Sequence, residues 1–212
     1  GVSAESLVLS KGHASLGLYA VLSTFGLLSR EEVLSFSSPG SSLGGHPDST
    51  KSPYFALSSG SLGHGLPFST GLAQARILQG IDFPLVCILG DGELNEGSCW
   101  EGALIGQNLG LSNLYCLIDD NNSSIKAAGM GDIRSKFESF GWRTAECDGH
   151  NALQISTLLT EMSMMKTDQP TAIVLKTIKG KGVKEMEIDP GAWHHRKMTA
   201  TEFHSFLQEV RS

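Results

Sequence analysis

Short apolar runs alternate with longer stretches of helical spacing along most of this chain. PLVCILG (84–90) and LYCLIDD (114–120) are unbroken apolar runs without period-two alternation, the pattern of strands covered on both faces. WRTAECDG (142–149) is a third candidate strand, and the β-branched TAIVLKTI (171–178), which follows Pro170, is a fourth. Between them lie helical patterns. HASLGLYAVLSTF (13–25) is closed by Gly26, and Ser29 with Glu32 forms a capping box ahead of REEVLSF. A further helix starts near Gly65 and stops at Gly80, and LNEGSCWEGALIGQNLG (94–110) reads as a single glycine-rich helix. DIRSKFESF (132–140), NALQISTLLTEMSMMK (151–166) and TATEFHSFLQEV (199–210) complete the set. Residues 37–53 and 179–195, dense in Ser, Gly, Pro or charge, read as loops.

Strand and helix in alternation predict an α/β fold: a mostly parallel sheet flanked by helices. No linker or internal repeat interrupts 1–212, so a single domain is expected. In such sheets ligands bind beyond the carboxyl ends of the strands. Asp91 follows the first predicted strand, Asp119–Asn122 the second, and the 179–195 loop the fourth.

Composition narrows the function. Among 212 residues, 40% are hydrophobic and 18% charged, with a net charge of −6 and no basic run, which argues against a nucleic-acid surface. No apolar stretch is long enough to span a membrane, and GVSAESLVLS lacks the basic start of a signal peptide. The four cysteines are scattered, with Cys87 and Cys116 inside apolar strands; buried thiols in a reducing, cytoplasmic setting are expected. The 25 glycines crowd into 40–72 and 90–110, as in loops that approach a ligand.

The chemistry gathers in GDGELNEGSCWEGA (90–103). Asp91 and Asn121, at the ends of neighbouring parallel strands, would bring one carboxylate and one amide oxygen together. Such a hard, weakly charged set suits Mg²⁺, which shares its six oxygens with phosphates and water. The plainer reading makes both turn residues. Gly92 would let backbone approach a phosphate or take an unusual φ. No GxxxxGK[ST] occurs, and no GxGxxG stands in a strand–turn–helix frame. Glu93, Glu96 and Glu101 invite a general-base role, but complementing a helix dipole, or an interface, is the simpler expectation for Glu93 and Glu96. Trp100 and Trp142 are expected to pack. Lys179 and Lys181 are expected to be solvated, and His64, His150 and His204 to be ordinary polar residues.

The order GDG, 28 residues (93–120), then Asn121–Asn122 resembles the thiamine-diphosphate fingerprint. LSKGHAS (9–15), GGHPD (44–48), SSGSLGHGLPFSTGLA (58–73), FGWRTAECDGH (140–150), KTIKGKGV (176–183) and WHH (193–195) resemble the amino-terminal half of transketolases, in that family's order. The resemblance implies a thiamine-diphosphate-binding fold that holds the diphosphate and Mg²⁺. Asp91, the Asn121 side chain and the Ser123 carbonyl would ligate the metal. Gly92 would donate its N–H to the diphosphate. His13 would lie near the diphosphate, and Gly60, Ser61 and Leu62 would line the thiazolium. His46 would contact sugar hydroxyls, and His194, or its neighbour His195, would be a further active-site histidine. Histidines suit proton transfer near neutral pH.

The family binds its cofactor between two domains, the second supplying the glutamate that activates it. The resemblance therefore implies half an active site, completed by a partner subunit that carries a pyrimidine-binding domain, in a hetero-oligomer such as a heterotetramer. A ketose, as sugar or sugar phosphate, would donate two carbons to an aldose. Departures are a short segment before SKGH, His64 in place of a glutamine, DDNNSS in place of D-x-N-G, and a short loop after it. The alternatives are a 1-deoxyxylulose-phosphate-synthase-like enzyme and a non-catalytic scaffold subunit.

Overall fold

The computed structural model describes residues 6–81, 83–122, 128–194 and 196–211. Five strands, β1 (Leu7–Leu9), β2 (Leu85–Gly90), β3 (Leu114–Asp120), β4 (Arg143–Asp148) and β5 (Thr171–Lys176), form one sheet in the order β1-β2-β3-β5-β4. Every pairing is parallel. The helices are α1 (Ser15–Thr24), α2 (Arg30–Leu34), α3 (Gly65–Leu78), α4 (Gly97–Asn108), α5 (Ile133–Ser139), α6 (Ala152–Met164), α7 (Lys184–Ile188) and α8 (Ala200–Arg211).

The apolar runs do what their lack of alternation requires. The first five residues of β3 are buried, and β2 hides Leu85, Cys87 and Leu89 against Leu66, Ala73, Cys99 and Ala103 of α3 and α4. Each fully buried Leu or Ile contributes about 1.5–3 kcal/mol over exposure. Close helix packing depends on Gly102, where a Cβ would come within 2.9 Å of the Pro67 nitrogen. Trp142 donates its indole N–H to the Ala103 carbonyl at 2.8 Å and Trp100 to that of Leu94 at 2.8 Å, so both are packing residues. A smaller core, Tyr19, Leu22, Leu28, Leu43 and Phe55, joins α1 to the 37–55 region. Ser29 and Glu32 form the capping box reciprocally, at 3.1 and 2.7 Å.

Three elements differ from expectation. β1 is an extra strand: three residues are too short for a period to register, yet Leu7–Leu9 pair with Val86–Ile88. The 94–110 segment is broken, with a 3₁₀ turn over Gly92–Asn95 separated from α4 by extended Glu96 (ψ 124°). The Glu93 side chain turns into the core and holds that turn apart. The third difference is α7, a short helix inside the segment read as loop. Among the described residues, no helix is long and apolar enough to cross a membrane.

Candidate functional site

The carboxyl ends of β1, β2, β3 and β5 bring one group of side chains together. Past β1, the Ser10 and Lys11 amides both donate to the Ile88 carbonyl, at 3.0 and 3.1 Å, which carries Lys11 across the end of β2. A Cβ on Gly90 would meet Lys11 Cε at 3.8 Å. Asp91, buried, follows β2, and its amide donates to the Asp119 carbonyl at 3.0 Å. Asp119 is the hub of the group. Its carboxylate pairs with Lys11, accepts the Thr177 hydroxyl and takes the Asn121 side-chain N–H at 3.1 Å. With its NH₂ donating there, the Asn121 amide has oxygen at its other end, the atom a hard cation takes. Asn122 adopts the left-handed conformation (φ 56°) that Asn tolerates, so the adjacent asparagines are not interchangeable.

Charge is balanced tightly here. Burial pushes the Asp119 carboxyl up, but the Lys11 ammonium and hydrogen bonds from Lys11, Thr177 and Asn121 outweigh it and hold the group below the usual carboxylate range. Lys179 lies within electrostatic reach of Lys11, Asp91 and Asp119 and is hydrogen-bonded to His194 Nδ1. Burial, then the Lys11 charge, hold its ammonium below the ordinary lysine value, against the pull of both carboxylates. Lys179 is therefore a half-buried member of the cluster, contrary to the expectation of a solvated loop charge.

A lowered carboxyl makes stability pH-dependent. The Asp119 contribution is fully present above the unfolded carboxylate value of about 3.9 and is lost as pH falls through the lower folded value. Replacing Lys11 by Met leaves burial unopposed by that cation and raises the folded value. Acid unfolding of Lys11→Met, followed by circular dichroism, is expected at a higher pH than in the parent chain; an unchanged acid midpoint counts against the pairing.

A second group adjoins the first through Gly12. The His13 and His46 rings meet edge to face with centroids 4.9 Å apart. Gly60 (φ 128°) lies against the His46 ring, where a Cβ would come within 3.0 Å of Cγ. On Gly12 a Cβ would sit 2.7 Å from Ser59 Oγ and 2.8 Å from the Gly60 nitrogen. Among the described residues the buried Ser59 hydroxyl oxygen has no hydrogen-bond partner. Ser61 is exposed and Leu62 half-buried on the same loop.

One buried carboxylate ties these loops together. Glu93, 2% exposed, accepts the Ser10 hydroxyl, the Gly63 N–H at 3.0 Å and, more weakly, the Gly90 N–H at 3.4 Å. Ser10 in turn accepts the Gly65 N–H at 3.1 Å. This overturns the dipole or interface reading of Glu93: its charge faces inward and joins three loops. Glu96 is exposed at the start of α4 and makes no side-chain cap.

Other positions are simply placed. Gly92 opens the 3₁₀ turn and its carbonyl accepts from Asn95 at 3.2 Å. His64 is exposed just before α3. Ser123 and His195 lie outside the described residues. The four cysteines are free, and burial pushes the Cys87 and Cys99 thiols up to about 12, so neither serves as a nucleophile.

The donor set fits a metal-bound diphosphate. Among the described residues no three His, Cys, Asp or Glu side chains converge as a metal site. A cation held by Asp91 and Asn121 would take one carboxylate oxygen and one amide oxygen from them, leaving positions for phosphate and water. Lys11 pairs with Asp119, Lys179 lies within electrostatic reach of Asp91 and Asp119, and the glycines at 12 and 60 let their two loops pack directly on each other and on the His46 ring.

Lys11 and Thr177 escape sequence reasoning as site residues, while Asp119 and Lys179 are placed at strand ends by it but given no role in the site. A signal exists for Lys11: once LVL is recognised as a strand, Lys11 stands at its carboxyl end.

Comparison with known proteins shows the family. The family described as "Transketolase, thiamine diphosphate binding domain" matches residues 2–205. The chain is 34% identical to a subunit of the apulose-4-phosphate transketolase of Phocaeicola vulgatus, over 97% of this chain and 74% of that one. It is 33% identical to Homo sapiens transketolase, over 98% of this chain but only 33% of the human protein. The transketolase structure from Campylobacter jejuni superposes with a TM-score of 0.79 at 30% identity, covering 87% of this chain and 31% of that one. This chain therefore belongs to the transketolase family and carries its thiamine diphosphate binding domain.

Proposed function

We propose that this chain is the diphosphate-binding subunit of a two-component transketolase, forming one domain that holds thiamine diphosphate through a divalent cation, Mg²⁺ in the first instance. The observation that carries the reading is the meeting of Asp91, Asn121, Lys11 and Lys179 at the carboxyl ends of adjacent parallel strands. Asp91 and Asn121 supply metal oxygens, and the Gly92 N–H with the Lys11 and Lys179 ammoniums faces the diphosphate. Gly60, Ser61 and Leu62, on the loop packed against Gly12 and His46, are the segment we assign to the thiazolium, and the buried Ser59 hydroxyl beside Gly12 has no hydrogen-bond partner among the described residues. The paired imidazoles of His13 and His46, with His194, present groups able to hydrogen-bond sugar hydroxyls and move protons near neutral pH. When bound, thiamine diphosphate supplies the carbanion chemistry that cleaves and forms the carbon–carbon bond.

The Phocaeicola relative is named as one subunit of its transketolase, which supports a second chain here. To that chain we assign the pyrimidine-binding domain and the activating glutamate. The substrates are then a ketose donor and an aldose acceptor, as sugars or sugar phosphates. The test mixes this chain with a candidate partner carrying a pyrimidine-binding domain and follows ketol transfer from ketose phosphates. Turnover that requires both chains, thiamine diphosphate and Mg²⁺ is expected. A partner that forms a complex binding the cofactor yet transfers no two-carbon unit from any ketose would sink the enzymatic reading.

A further inference from the structure

The turn between β4 and α6 approaches the loop that delivers Lys179, although neither β4 nor α6 ends in the site. Two contacts join them. His150 Nε2 accepts the Ile178 N–H at 2.8 Å. An acceptor Nε2 fixes the ring as the neutral tautomer with its proton on Nδ1. One residue earlier, the Gly149 amide donates to the Lys176 carbonyl at 2.8 Å, and a Cβ there would fall 2.4 Å from Thr177 Cγ2. Glycine is thus what lets the turn lie directly on the end of β5.

The turn itself is braced. The His150 amide donates to Asp148 Oδ1 at 2.9 Å, and Asn151 caps α6 by accepting the Gln154 N–H at 3.0 Å. On the other side, Thr177 and Lys179 flank the gripped residue. Thr177 donates its hydroxyl to Asp119 and its amide to the Asp120 carbonyl at 3.1 Å, while Lys179 is hydrogen-bonded to His194 and lies within electrostatic reach of Asp91 and Asp119. Ile178 sits between them with its amide on the imidazole.

We infer that His150 is a positioning residue for the cofactor site: by holding the Ile178 amide it fixes the height at which the chain leaves β5 and so the place of the Lys179 ammonium against His194. This rests on the diphosphate reading above. His150 touches no reacting group; it acts through one backbone hydrogen bond, and any side chain that offers an acceptor at the same reach replaces it. Glutamine does so, with its amide oxygen near the position of Nε2.

The experiment compares the intact chain with its His150→Ala and His150→Gln variants in two measurements. Amide hydrogen exchange without cofactor should quicken across 178–182 in His150→Ala and return towards the parent rate in His150→Gln. Titration with thiamine diphosphate and Mg²⁺ should show the dissociation constant rising roughly three- to tenfold in His150→Ala, the range one lost hydrogen bond supports, with recovery in His150→Gln. Unchanged exchange overturns the clamp. Faster exchange with unchanged affinity, or no recovery with glutamine, overturns the positioning role. Failure of the parent chain to bind the cofactor both alone and together with the partner subunit is a different result: it defeats the proposed function, and exchange alone then decides the clamp.

Discussion

Asp91→Ala is expected to abolish metal-dependent binding of thiamine diphosphate while leaving the fold in place. Asp91 is the carboxylate that follows β2, buried, with the Asn121 amide as its neighbour at the end of β3. Without it, a cation held by this pair would keep only the neutral Asn121 oxygen of the two, and the diphosphate would lose the charge that offsets it. A loss of about 100-fold or more in affinity, roughly 3 kcal/mol, is expected in the presence of Mg²⁺. The Asp91 amide keeps its bond to the Asp119 carbonyl after the change, which holds the end of β2 in place. Fluorescence titration, run beside a thermal melt, checks both halves. Binding within a few-fold of the parent chain would remove Asp91 from the metal site.

Glu93→Ala is expected to act in the opposite sense, on the fold first. The substitution leaves the Ser10 hydroxyl and the Gly63 N–H buried without their acceptor, and weakens the hold on Gly90. Breaking a buried, hydrogen-bonded carboxylate node costs about 3–5 kcal/mol. At roughly 2–4 °C per kcal/mol for a chain of this size, the melting temperature should fall by about 6–20 °C. Glu93→Gln keeps one oxygen acceptor in the same volume and should recover part of the loss. Cofactor affinity should fall as well, since the node orders the loops carrying Lys11, Gly60 and Asp91. A melting temperature unchanged in Glu93→Ala would show that the loops are held by other means.

These two carboxylates mark what is legible in the chain and what is not. Asp91 can be placed because an unbroken apolar run is a strand and its end is a sheet edge; local pattern suffices. The buried strands, the capping box at Ser29 and Glu32, and the packing roles of Trp100 and Trp142 are legible for the same reason. Glu93 stands two residues further on and cannot be read, because its partners Ser10 and Gly63 lie far away in sequence. Lys179 misleads on similar grounds. A lysine among glycines looks solvated until the loop after β5 folds and brings it within electrostatic reach of Lys11 and Asp91. β1 is invisible because three residues carry no period, and with it goes the one local clue to Lys11. Only the family resemblance, and no property of spacing, singles out His13 and His46; the fold then sets their rings in contact.

The central claim is that this chain holds thiamine diphosphate through a divalent cation at the carboxyl ends of β2 and β3. Calorimetric titration of the chain with thiamine diphosphate, with Mg²⁺ and again with the metal chelated, tests it most directly. The account predicts saturable one-to-one binding that requires the metal and is competed by inorganic diphosphate. Binding of equal strength with and without a divalent cation, or binding indifferent to diphosphate, would contradict it.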